Sequence, residues 1–124
     1  MDIESIRNYC LEKPEVTEGF PFGDDTLVFK VNGKMFALMN LEGTLSINLK
    51  CDPEKAIELR EHYAGVLPGY HMNKKQWNTV MLDFSIDSTL IKQWIDDSYN
   101  LVVQNMPKKD RERIQGPSGR SNQR

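Results

Sequence analysis

Ten residues, PGYHMNKKQW (68–77), hold most of the groups in this chain that could do chemistry at short range. Lys74 and Lys75 can neutralise phosphate, Asn73 can bond a base edge or a phosphate oxygen, and Tyr70 and His71 have rings that can stack on exposed bases. The residue types suit nucleic acid, but one short loop is also what a turn looks like. In that plainer reading Asn73 bonds backbone, Trp77 and Tyr70 belong to the core, and the lysines are solvated.

Catalysis fits less well. His71 and Cys51 would have to meet for a thiol–base pair, and His62 lies late in a charged helix. The chain has no G-x-S-x-G, P-loop, H-E-x-x-H or C-x-x-C pattern. Two histidines and two separated cysteines make a poor transition-metal site. No catalytic residue, metal ligand or cofactor is assigned. The cysteines, Cys10 and Cys51, read as free or buried thiols of a reducing cytoplasm.

Net charge is −2 over 124 residues, so binding to nucleic acid would need a local patch. Charge is uneven. The first 25 residues carry seven acids against two bases, and residues 106–124 carry six bases against two acids. No apolar run is long enough to span a bilayer, and MDIESIRNYCLEK lacks the apolar stretch of a signal peptide. A cytoplasmic, monomeric protein is expected.

The elements that would position these groups follow from periodicity and punctuation. Residues 2–12 read as a helix capped by Asp2 and stopped by Lys13-Pro14. TLVFKV (26–31) and KMFALMNL (34–41) meet across Asn32-Gly33, a strong hairpin signal. Glu42-Gly43 turns the chain into TLSINLKC (44–51). Asp52-Pro53 starts a second helix, WNTVMLDF (77–84) is a fourth strand, and a long helix spans 88–105 after Ser85 or Asp87. Residues 15–25 read as an acidic turn region. The order is helix-β-β-β-helix-β-helix: an α+β domain with one antiparallel sheet and helices packed on one face. The domain is set at 1–113, with a polar, disordered tail over 114–124.

Two-residue turns predict strand register. They place Leu27, Phe29, Val31, Phe36, Leu38, Leu45, Ile47 and Leu49 on the core face. The other face then takes Thr26, Val28, Lys30, Met35, Ala37, Met39, Ser46, Asn48 and Lys50. That second face is a small apolar strip bordered by lysine. It can be plain solvated surface, or it can bind a partner, for which adaptable methionines and flanking cations are suited.

PFGDD, KVNGKMFAL, INLKCDPE, PGYHMNKKQWNTV and SYNLVVQNMPKKDR resemble the MmcQ/YjbR family of small bacterial proteins, in that family's order and spacing over about 3–113. The resemblance implies a fold similar to bacterial frataxin, and DNA binding through a double-wing arrangement. The family pattern at Pro68, Gly69, Tyr70, His71, Asn73, Lys74 and Trp77 stands intact. Gln76 stands where many members resemble His-Trp, which favours binding over acid–base chemistry. The reading is DNA binding without catalysis, weak and salt-dependent, through Lys30, Lys34, Asn48, Lys50, His71, Asn73, Lys74 and Lys75. One alternative is a protein-interaction or small-anion module on the same face, with Met35 and Met39 as important as the lysines. A second is frataxin-like metal binding, which needs Glu15, Glu18, Asp24 and Asp25 close together.

Overall fold

The computed structural model describes residues 2–70 and 72–116. Helix α1 (Ile3–Leu11) is followed by strands β1 (Val16–Gly19), β2 (Thr26–Val31), β3 (Lys34–Asn40) and β4 (Ser46–Lys50). Helix α2 (Pro53–His62), β5 (Val66–Pro68), β6 (Trp77–Met81), α3 (Ser88–Gln104) and α4 (Lys108–Gln115) complete the chain. The strands form one antiparallel sheet in the order β1-β2-β3-β4-β6-β5.

Helices α1 to α3 start where aspartates can accept from free backbone N–H groups. Asp2 accepts from Ser5, Asp52 from Glu54 and Lys55, and Asp87 from Thr89. Each such cap stabilises its helix by about 1 kcal/mol. Of the two residues proposed to cap α3, the structure selects Asp87. Helices α1 to α4 all contribute to one core: Ile6 and Cys10, then Leu59, then Ile91, Trp94, Ile95, Tyr99, Val102 and Val103, then Ile114. The sheet side chains that meet them are Leu27, Phe29, Val31, Phe36, Ala37, Met39, Ile47, Leu49, Val66 and Val80. Burying each large apolar side chain contributes roughly 1.5–3 kcal/mol. Ile114 is buried, so the helical fold runs to Gln115; the expected disordered tail lies, from residue 117 on, outside the described residues.

Besides the fourth helix, three features of the sheet differ from the sequence-based expectation. First, the sheet has six strands, because β1 and β5 join its two edges. Both are short, and neither alternates cleanly in polarity. Second, Asn32-Gly33 does pair Val31 with Lys34, but a bulge follows. Lys30 pairs with Met35 and Phe29 with Ala37, leaving Phe36 without a partner on β2. One extra residue reverses the facing of everything beyond it. Ala37 and Met39 therefore enter the core, and Leu38 turns to the opposite face. Third, Glu42-Gly43 is not a two-residue turn. The chain between β3 and β4 is closed by the Asn40 amide, which donates to the carbonyls of Glu42 (2.9 Å) and Thr44 (3.1 Å). Ala37 then pairs with Leu49 and Leu38 with Asn48, and Leu45 lies outside the strand, half-buried.

Ser98 of α3 completes the bulge. Its hydroxyl donates to the Phe36 carbonyl at 2.6 Å and accepts from the Lys50 N–H at 2.8 Å. A helix side chain thus satisfies two backbone groups where the β3–β4 ladder opens, as buried backbone polar groups require.

Candidate functional site

Among the described residues, no helix contributes to the apolar cluster on the second face of the sheet. Its apolar cluster is Val28, Leu38 and Trp77, with Met35 and Met72 against it. The strand pairings place Thr26, Val28 and Lys30 of β2, Leu38 and Asn40 of β3, Ser46, Asn48 and Lys50 of β4, and Trp77 and Thr79 of β6 together on this face. A groove of about 650 Å³ runs over it. Its floor includes Met35, Leu38, Asn40, Ser46 and Asn48; Phe22 and Asp25 bound it from the β1–β2 connection, and Tyr70, Met72 and Asn73 from the β5–β6 loop. By contrast, the cavity on the helix side, lined by Leu49, Cys51, Asn78, Trp94 and Asp97, has a volume of about 20 Å³, room for one water-sized group.

The β5–β6 loop is anchored to the sheet by side chains of the face itself. The Tyr70 N–H donates to the Thr79 hydroxyl at 2.9 Å, that hydroxyl donates to the Asn48 carbonyl oxygen, and the Asn48 amide donates to the Tyr70 carbonyl at 3.4 Å. The loop turns where Asn73 accepts from the Lys75 N–H at 2.9 Å, so Asn73 does form the backbone-bonded turn of the plainer reading. Gly69 is required by space: a Cβ there would lie 2.8 Å from the Trp77 Cβ and 2.9 Å from the Trp77 carbonyl oxygen. This close approach lets the loop fold back over the sheet, and it leaves the Tyr70 ring 69% exposed at the groove's edge.

The expected contact residues do not share one role. Lys30 and Lys50 are half-buried on the open face, two strands apart, and Lys34 is exposed at the hairpin. Lys75 is exposed in the loop. Lys74 donates its ammonium to the Gly69 carbonyl at 3.3 Å, and Asn48 holds the loop as described. His71 lies outside the described residues. Met39 is removed from this surface by the bulge and is fully buried. Trp77 is buried, as the plainer reading had it, but against this second face.

The lysines collect at one end of the sheet. Lys30 lies on the second face beside the β2–β3 turn, Lys34 follows that turn but pairs with core-facing Val31 and so belongs to the helix side, and Lys50 pairs with Trp77 beside the loop that carries Lys74 and Lys75. Arg60 of α2 adds a cation there, donating to the Lys74 carbonyl at 2.9 Å. The other end is acidic: Asp24, Asp25 and Glu42 surround a second depression with Phe22 and Leu41. Sequence reading missed Phe22, Thr79 and Arg60. An aromatic inside the acidic turn PFGDD is the one signal that could have marked Phe22.

The remaining chemistry is set by burial and pairing. Burial, then the Asp52 charge, pushes the Cys51 thiol up to about 11, and burial pushes Cys10 up to about 12, so both stay protonated at neutral pH. Both are free thiols. The N-terminal acids do not converge as a metal site would need. Glu18 accepts two bonds from Arg7 (2.8 and 2.6 Å) and Glu15 two from Arg113 (3.1 Å each), which holds both carboxyls below their usual range. Among the described residues no cluster of three histidine, cysteine or acidic side chains could hold a metal ion.

Fold and face together define a class: a small α+β domain whose single antiparallel sheet is covered by helices on one side and, among the described residues, by no helix on the other. The family model YjbR matches residues 11–101, and the chain belongs to the YjbR family. YbdF of Escherichia coli O157:H7 is 42% identical over 112 residues, covering 90% of this chain and 92% of the relative. YjbR of Escherichia coli K12 is 32% identical over 112 residues, covering 90% and 95%. Among solved structures, the Deinococcus radiodurans protein DR2400, with a DUF419 domain, superposes with a TM-score of 0.87 at 38% identity, covering 93% of this chain and 88% of that one. A Pseudomonas syringae protein gives a TM-score of 0.72 at 29% identity, covering 82% and 98%.

Proposed function

We propose that the protein is a non-catalytic nucleic-acid-binding domain that takes DNA on the open face of its sheet. The observation that carries this reading is the face that, among the described residues, no helix covers: a groove of about 650 Å³ walled by two connections, with Lys30 and Lys50 on the same face at the end of the sheet where the loop carries Lys75. Cations at this position neutralise phosphates, and the loop, bonded to the sheet at Tyr70, supplies one wall. With net charge −2 the attraction is local, and affinity is modest.

The test is fluorescence anisotropy with labelled DNA at two salt concentrations. Saturable binding that weakens steeply as salt rises is the expected result. Absence of binding at low salt would remove nucleic acid as the ligand and leave a protein or small anion for the same face. Among the described residues no helix is long and apolar enough to cross a membrane.

A further inference from the structure

We propose that the groove receives an unpaired base, so that the protein takes single-stranded nucleic acid in preference to duplex, and that it favours bases bearing an exocyclic amino group. This rests on the nucleic-acid reading above and narrows it.

Three observations converge. The first is shape. The groove lies within the range of small-molecule sites (roughly 300–1,000 Å³) and has exposed aromatic rings at opposite walls, Phe22 at 62% and Tyr70 at 69%. Rings of this kind stack on base faces, which a single strand offers and a duplex keeps inside its own stack. The second is preorganisation. The Tyr70 backbone is held on both its N–H and its carbonyl by Thr79 and Asn48, so the ring is presented from a fixed anchor.

The third is the direction of charge. A duplex laid along the groove would bring phosphates onto Asp24, Asp25 and Glu42 as well as onto the lysines. A single strand avoids this by crossing the face at the lysine end and pointing a base towards the acids. Asp25 lines the groove there, and its exposed carboxylate accepts a long 3.3 Å bond from the Thr26 hydroxyl. An ionised carboxylate has lone pairs for several donors, so it can take a further one from a ligand. It accepts from the exocyclic amino group of cytosine, adenine or guanine, two N–H donors on one nitrogen, whereas an unpaired thymine offers only its single ring N3–H. Met35 and Leu38 supply an apolar floor, and Asn40, Ser46 and Asn48 a polar margin.

The experiment compares oligo-dC, oligo-dT and a duplex of the same length, at neutral pH and low salt, with wild type, Tyr70→Ala and Asp25→Ala. Oligo-dC is expected to bind about tenfold tighter than the duplex and measurably tighter than oligo-dT. Tyr70→Ala should lower oligo-dC affinity about tenfold and leave duplex binding nearly unchanged, and Asp25→Ala should remove the preference for oligo-dC over oligo-dT. Both side chains are exposed, so the variants keep the fold. Equal affinity for duplex and single strand, or a Tyr70→Ala loss shared by both, overturns this inference while the nucleic-acid reading stands. Binding to none of the three overturns both.

Discussion

Replacing Ser98 with alanine is expected to cost about 2–4 kcal/mol of folding stability, far more than deleting one hydroxyl usually does. The side chain is fully buried and serves two backbone groups at once, the Phe36 carbonyl at 2.6 Å and the Lys50 N–H at 2.8 Å. Alanine leaves both without a partner, and each buried, unsatisfied group costs roughly 1–3 kcal/mol. The strands cannot simply close up. Phe36 is the extra residue of the bulge, and its ring packs on Tyr99 with centroids 5.3 Å apart. Urea denaturation should show a lower midpoint with an unchanged slope. A loss below about 0.5 kcal/mol would mean that β3 and β4 can re-pair without the serine. The same bond lies directly behind Lys50, so the variant should also loosen the lysine end of the open face.

Combining Lys30→Glu, Lys50→Glu and Lys75→Glu is expected to weaken DNA binding about a hundredfold or more at low salt. Each lysine that neutralises a phosphate releases a counterion, so losing three should lower the slope of log K against log salt by about 2 for a single strand. Lys74 is left unchanged because its ammonium is bonded to the Gly69 carbonyl, and reversing it would disturb the loop as well as the field. The three chosen side chains are exposed or half-buried, so thermal stability should stay nearly constant. Affinity that falls with no change in the salt slope would place the phosphates elsewhere.

Much of this architecture was legible in the residues. Asn32-Gly33 fixed the first hairpin turn because few other pairs accept positive φ at both positions, and the two residues take φ of 51° and 78°. Asp2, Asp52-Pro53 and the apolar spacing from Leu90 to Val102 marked three helices. The bulge was not legible. Nothing within KMFALM signals an extra residue, since what holds it open is Ser98, far away in sequence on α3. That single unread residue moved Met39 from the expected binding surface into the core and put Leu38 in its place. The edge strands β1 and β5 were too short to show a period. The lysines of the site were readable as residue types, but their convergence at one end of the face depended on the register. The groove depended on two connections folding towards each other, which local pattern does not encode.

If the protein binds as proposed, the ligand sits on the helix-free face of the sheet. Backbone amide mapping tests it most directly: a ¹⁵N-labelled sample titrated with short single-stranded DNA at low salt. Shifts are expected at Lys30, Leu38, Asn48, Tyr70 and Thr79, and at Phe22 and Asp25 on the opposite wall, with α3 little changed. Shifts confined to the helices, or spread evenly over the surface, would contradict it.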